Sequence, residues 1–249
     1  MGAKPEFLLL GIAIPMSKQK YMEDFIESFA AACKRSKVML IGGDTTTSPD
    51  KIFISITAIG TSKSGHIKRR DTAKEGDILC VVGELGAAHL GVIACERSID
   101  GFEDYKRAFL QPEAKLGEGL WLGSQVNVTS LMDLSDGLFI DLKRLCQASK
   151  LQGKIDLDLL VPDKNFRNFC EELKLDPVEA MVVGGEDYGL LFTVSEIGYE
   201  ELAESFKKEF GYPIKLIGHL TKGNGVTHMR NGTTVTLKQK PFTHFGEEI

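Results

Sequence analysis

A chain of 249 residues is long enough for one large domain or two ordinary ones, and 43% hydrophobic with 26% charged residues excludes a disordered or fibrous protein. The net charge of -5 argues against a general nucleic-acid binder, which needs clustered Lys and Arg, so any phosphate ligand has to be held locally through hard divalent cations. Five scattered cysteines, odd in number and without a Cys-x-x-Cys pair, argue against zinc and against a disulfide framework.

The apolar run from Glu6 to Ile14 is too short to span a bilayer and lacks a basic leader, so it reads as a buried strand of a cytoplasmic protein with no membrane partner. From Lys18 to Ser36, Tyr21, Phe25, Phe29 and Ala32 or Cys33 recur at helical spacing, which predicts an amphipathic helix. Val38 to Ile41 reads as a short strand running into a turn, Gly42-Gly43-Asp44-Thr45-Thr46, and Phe53 to Gly60 as another strand. The polar, basic stretch Ser62 to Gly76 marks a domain boundary.

Beyond it, Ile78 to Val82 predicts a strand, Ala87 to Glu96 a helix, and Pro112 to Leu122 a helix with its proline in the first turn. Val126 to Leu131 predicts a strand leading into Asp133-Leu134-Ser135-Asp136-Gly137, followed by a helix from Leu138 to Ala148. Met181 to Val183 is taken as the end of a strand before Gly184-Gly185-Glu186-Asp187, with a further strand over Tyr188 to Val194. A helix over Ile197 to Phe210 and strands near Ile214 to Ile217, Val226 to Met229 and Thr234 to Leu237 close the pattern. Alternating helices and strands predict α/β or α+β layers.

Three acidic turns stand out, each expected after an apolar strand. Glycines let a backbone pass close to a ligand, and carboxylates beside such turns suit octahedral magnesium, which keeps waters and shares phosphate oxygens. Singly, each turn is as well explained by helix capping, and Asp136 stands where it would cap the helix from Leu138. Three in one chain weaken that explanation. Arg70, in the basic segment, has the planar fork that grips a triphosphate, although a solvated charge run accounts equally for its composition. No Walker A pattern, Gly-x-Ser-x-Gly elbow or histidine pair at metal-ligand spacing occurs, and the five histidines are taken as surface or satisfied polar groups.

With Met1-Gly2-Ala3-Lys4-Pro5, Ile41 through Thr46, Asp133 through Leu138 with Asp141-Leu142, Gly184 through Tyr188 and the closing Phe242-Thr243-His244-Phe245, the chain resembles the thiamine-monophosphate kinases of the AIR-synthetase (PurM-like) superfamily. The resemblance covers nearly the whole chain, and Gly189-Leu190 stands where that family usually has Glu-Leu. It implies a PurM-like fold of two domains, residues 1–66 for ATP binding and dimerisation and residues 67–249 an α/β domain. It also implies direct transfer of the ATP γ-phosphoryl group to the phosphate of thiamine monophosphate, with no acid, base or nucleophile from the protein. By resemblance Asp44 and Asp133 bind magnesium, Asp136 a further magnesium, and Gly43, Asp44, Arg70 and Ser135 the nucleotide. Glu186 and Phe242 would meet the thiamine substrate, the first by a polar contact and the second by packing on a ring. The expected partners are ATP, thiamine monophosphate and a second copy of the chain. The rivals are another PurM-like ATP-dependent enzyme and a non-catalytic nucleotide-binding protein.

Members of that family carry a segment ahead of the Met-Gly-Ala motif that supplies further metal-binding aspartates, so the N-terminal domain here is expected to be truncated. Charge on a moving phosphoryl group needs several cations and their ligands. The 249-residue form is therefore expected to turn over far more slowly than an N-terminally extended one. Equal turnover of the two forms, side by side, would show that the residues present suffice.

Overall fold

The computed structural model describes residues 1–239. The chain divides into two compact units, one spanning Ala3–Ser64 and the other comprising Met1 and Gly2 with the chain from Gly65 onward.

The smaller unit is a three-stranded sheet with one helix. Strand β1 (Lys4–Ile14) lies between β2 (Met39–Thr47), parallel to it, and β3 (Phe53–Thr61), antiparallel. A parallel neighbour requires a crossover, which is supplied by α1 (Tyr21–Ser36). That helix stops where Lys37 turns left-handed and its N–H reaches back to the carbonyls of Cys33 and Lys34. The stretch Gly42 to Thr46, expected as a turn, is instead strand. Gly42, Gly43 and Asp44 pair with Leu9, Leu10 and Gly11, after a register shift between Leu8 and Leu9. The glycine serves a close approach, since a Cβ on Gly43 would fall 1.9 Å from the Leu10 carbonyl oxygen. Ile12 and Ile14 of β1 are buried, whereas Met39, Leu40, Ile41, Phe53, Ile54, Ile56 and Ile59 on the two flanking strands stay exposed.

The larger unit is built on seven strands: β4 (Ile78–Val82), β5 (Val128–Leu134), β6 (Gln152–Asp156), β7 (Gly189–Val194), β8 (Lys215–Thr221), β9 (Gly225–Arg230) and β10 (Thr233–Val235). Their order is β10-β9-β6-β8-β4-β7-β5, antiparallel except for the β6–β9 pair. Strand β4 shows why its sequence is apolar at every position. Leu79 and Val81 face a core with Leu90, Leu138, Leu142 and Phe169, while Cys80 and Val82 face a second core with Leu122, Leu202 and Phe206. Period-two alternation thus feeds both faces of a covered sheet.

The first core is completed by α2 (Ala87–Glu96), α5 (Leu138–Ser149), α6 (Lys164–Leu173) and α7 (Pro177–Val183). The second draws on α4 (Leu116–Ser124) and α8 (Tyr199–Phe210), and α3 (Glu103–Leu110) packs on α2. Two expectations are corrected. The helix expected from Pro112 begins at Leu116, so the proline lies ahead of its first turn. Met181 to Val183 is not strand but the end of α7, which Asp176 starts by accepting 2.9 Å bonds from the N–H groups of Val178 and Glu179, with Pro177 in the first turn. Helix α6 adds an element to those expected: Asp163 caps it at Phe166 N–H, and Phe166, Phe169 and Cys170 form its buried stripe.

Helix α2 meets α3 almost backbone to backbone at Gly91, where a Cβ would fall 2.1 Å from the Tyr105 carbonyl oxygen. Gly91→Ala should therefore destabilise the protein by about 1–3 kcal/mol through overpacking, despite the roughly 1 kcal/mol that alanine gains in a free helix. Urea unfolding measures it, and a variant as stable as wild type would show that α3 yields freely.

Candidate active site

Strand β5 ends on Asp133 and Leu134, and the chain then turns through Ser135, Asp136 and Gly137 into α5. Leu134 is buried and Asp133, alternating with it, is exposed. Asp136 does not cap α5: the residue at the cap is Gly137, at φ 106°, and no side chain bonds there. The turn is organised from inside the helix. The Oδ2 atom of Asp141, a fully buried residue, accepts the N–H groups of Ser135 at 2.9 Å and Asp136 at 3.0 Å. Its Oδ1 accepts from Arg144 Nη1 at 2.8 Å, and Arg144 Nη2 lies 2.5 Å from Asp136 Oδ2.

The second acidic turn arrives beside the first because β7, which it precedes, pairs with β5, Gly189 opposite Leu134 and Leu190 opposite Asp133. Glu186 N–H donates to the Ser135 carbonyl at 2.8 Å. The two backbones meet at glycines. A Cβ on Gly137 would lie 2.6 Å from the Gly184 carbonyl oxygen, and one on Gly185 3.0 Å from the Asp136 carbonyl carbon. Glu186 (φ 69°) and Tyr188 (φ 48°) are both left-handed, a conformation that costs a non-glycine residue free energy and has to be held by its surroundings. Two contacts hold it: Tyr188 Oη donates to Glu186 Oε2 at 3.0 Å, and Asp187 between them accepts from Gly86 N–H at 2.6 Å and Ala88 N–H at 3.0 Å.

Asp187 thus occupies the N-terminus of α2, and Asp141 the turn that opens α5. Helix starts after strands are the usual anion seats of α/β proteins, because their first N–H groups lack partners. Here Asp187 takes two such groups at α2, those of Gly86 and Ala88, whereas Asp141 takes the N–H groups of Ser135 and Asp136, which precede the α5 cap residue Gly137. Burial pushes the Asp187 carboxyl up to about 7, against the pull of its two N–H bonds. Burial likewise raises Asp141, against its bonds to the turn and to Arg144. Burial works against the charge on Arg144, but bonding to Asp136 and Asp141 outweighs it and raises the guanidinium. The Tyr188 hydroxyl is raised by burial, by its bond to Glu186 and by the charges of Asp136 and Asp133, which places it within the field of the acidic group.

Of the residues singled out in sequence, Asp133, Ser135, Asp136 and Glu186 come together here. Gly43 and Asp44 lie on β2 of the smaller unit, with Asp44 exposed. Arg70 is exposed, and its carbonyl accepts from Ser149 Oγ at 2.8 Å, while the neighbouring Arg69 pairs with Asp71. Phe242 lies outside the described residues. Asp141 and Asp187 carried usable signals, an acid in the first turn of a helix and an acid in a glycine-led turn, whereas Arg144 carried none that distinguishes it from a surface charge. His228 departs from the expected satisfied histidine, being buried with no hydrogen-bond partner for Nε2 among the described residues.

Among the described residues no three His, Cys, Asp or Glu side chains are grouped to hold a metal by themselves. Exposed Asp133, at the end of β5, fits instead a cation that takes one or two carboxylates and completes its shell with phosphate oxygens and water, as magnesium does. No described helix is long and apolar enough to cross a membrane.

Residues 1–62 match the AIR synthase related protein N-terminal domain and residues 74–231 the corresponding C-terminal domain. The thiamine-monophosphate kinase of Escherichia coli K12 is 32% identical, over 98% of this chain and 75% of that protein. The crystal structure of thiamine-monophosphate kinase from Stenotrophomonas maltophilia K279a superposes with a TM-score of 0.82 at 28% identity, over 94% of this chain and 74% of that one. AaThiL, complexed with AMPPCP and TMP, superposes with a TM-score of 0.81 at 27% identity, over 98% and 75%. The fold is PurM-like, as the resemblance implied.

A carboxyl raised in the folded state stabilises the fold fully below its unfolded value, and that contribution is lost as pH rises through the folded value. For Asp187 the window runs from the ordinary 3.8 to about 7. Wild type should therefore lose stability relative to Asp187→Asn as pH rises from about 4 to about 7. Urea unfolding at stepped pH measures the difference, and a gap that stays constant with pH would contradict the assignment.

Proposed function

Because this chain belongs to the thiamine-monophosphate kinases among the AIR synthase related proteins, we propose that it transfers the γ-phosphoryl group of ATP to the phosphate of thiamine monophosphate, giving thiamine diphosphate and ADP. The observation that carries this reading is the convergence of Asp133, Ser135, Asp136 and Glu186 at one place, where the N–H groups of Ser135 and Asp136 and those of Gly86 and Ala88 are already taken by Asp141 and Asp187. Carboxylates at such a site meet a polyphosphate through cations placed between them.

In the reaction an oxygen of the acceptor phosphate forms a bond to the γ-phosphorus as the bond from that phosphorus to the β–γ bridging oxygen breaks, and the electron pair leaves with ADP. A phosphate oxygen needs no base to become a nucleophile, so the protein's task is to position two anions in line and to neutralise them. Magnesium, when bound, supplies the positive charge between carboxylates and phosphates. We assign Asp44 and Asp133 as magnesium ligands, Asp136 as the ligand of a further magnesium, and Gly43, Asp44, Arg70 and Ser135 as nucleotide contacts. Glu186 makes the polar contact to the thiamine substrate, with its carboxylate oriented by Tyr188 Oη, and Phe242 packs on a ring.

Residues 1–66 serve in this reading as the ATP-binding and dimerisation domain. The exposed Met39, Leu40, Ile41, Phe53, Ile54, Ile56 and Ile59 lie on the two strands that flank β1, and in this reading a second copy covers them, since apolar strands left exposed in this way mark an interaction surface.

Asp133→Asn removes one ligating charge and keeps the shape. It should lower kcat for thiamine diphosphate formation by about 10²–10³, the scale of one lost electrostatic contact in other enzymes, and leave the melting temperature unchanged. Excess chelator should abolish turnover in wild type. An unchanged kcat in the variant would make Asp133 structural, and turnover that survives chelation would remove the metal from the mechanism.

A further inference from the structure

We propose that Arg144 is the resident counter-cation of Asp136, fixed in place by Asp141, and that a free divalent cation reaches Asp136 only by displacing it. The proposal rests on the reading of Asp136 as a cation ligand. Its argument is the geometry of one guanidinium shared between two carboxylates of very different exposure. Arg144 Nη1 bonds Asp141 Oδ1 at 2.8 Å and Nη2 meets Asp136 Oδ2 at 2.5 Å. The side chain of Asp141 is 0% exposed, that of Asp136 22% and that of Arg144 42%.

Asp141 cannot release Arg144 cheaply. Its other oxygen is spent on the Ser135 and Asp136 N–H groups, and a buried carboxylate that lost its charge partner would be left uncompensated. Asp136 is differently placed, on the solvent side of the pair and next to Ser135, whose carbonyl accepts from Glu186 N–H. A carboxylate in a turn that adjoins other acidic side chains is favoured by a counter-ion when no ligand is present. The bonded cation at Asp136, among the described residues, is Arg144.

For the phosphoryl-transfer reading this gives the site a selectivity. A lone cation has to compete with a guanidinium for Asp136, whereas a cation delivered on a polyphosphate brings anionic oxygens that compensate the freed arm of Arg144. The arginine thereby disfavours occupation by metal alone, and Asp141 acts as a positioning residue that keeps the fork from swinging away.

The test is the binding of Mn²⁺ alone to the full chain, followed by electron paramagnetic resonance of the free ion, with thermal unfolding as a fold control. Arg144→Gln should bind free Mn²⁺ about three- to tenfold more tightly than wild type, the size of one partly exposed charge interaction. Arg144→Lys keeps the charge but not the two-armed fork, and should show a smaller gain in the same direction. Should the glutamine variant fail to fold, the lysine variant carries the test, and unchanged or weaker binding in whichever variant folds overturns the proposal. Asp136→Asn separates the two levels. If it lowers Mn²⁺ affinity while the Arg144 variants raise nothing, only the counter-cation role fails. If it leaves the affinity unchanged, Asp136 is not a cation ligand and both readings fall.

Discussion

The acidic site depends on two carboxylates that are not offered to a ligand. Asp141 and Asp187 each turn a pair of backbone N–H groups inward, at the start of α5 and of α2 respectively. A helix start with free N–H groups attracts phosphate directly and carries a partial positive charge. Here Asp187 holds two such groups at α2 and Asp141 holds the turn ahead of α5, and the side chains presented beside them are exposed or half-exposed Asp133, Ser135, Asp136 and Glu186. Electrostatics then dictates the rest: a polyphosphate approaches such a surface only with cations between.

The same two contacts tie the site to the core. Asp187 joins the turn before β7 to α2, and Asp141 joins the turn after β5 to the buried face of α5, where Leu138, Leu142 and Leu145 pack. Antiparallel pairing of β5 with β7 sets the two turns side by side, and Gly137 and Gly185 let them touch. Left-handed Glu186 and Tyr188 persist because the residue between them is anchored. Precision at the site is therefore a property of the sheet and two helices rather than of a free loop, which suits a reaction whose catalysis is positioning.

The smaller unit poses the opposite situation. Its β1 is buried at Ile12 and Ile14, yet the flanking strands are exposed along their whole length, apolar side chains included. A sheet of three strands and one helix has too little of its own surface to cover both faces, so its apolar strands stay exposed in the single chain. Asp44 sits on one of these strands, so its surroundings are settled by what covers the sheet as well as by the chain itself.

Local pattern alone determined a large part of this protein. Strand β4 and helix α2 are read residue for residue because an unbroken apolar run and a compact apolar helix have no competing reading, and the grouping of acids with glycines at Asp133 to Gly137 and Gly184 to Asp187 marked the site. Tertiary structure decided the rest. Gly42-Gly43-Asp44 looks like a turn because two glycines precede an acid, yet β1 lies close enough for the segment to pair as strand. Met181 to Val183 looks like a strand because three apolar residues carry no period, and only Asp176 and Pro177 upstream make it a helix. Above all, sequence could not separate the acids that face a ligand from those that face the backbone. Asp136, Asp141 and Asp187 are the same residue type in similar company; their roles part because burial, and the N–H groups that long-range folding sets opposite them, exist only once β4, β5 and β7 have assembled.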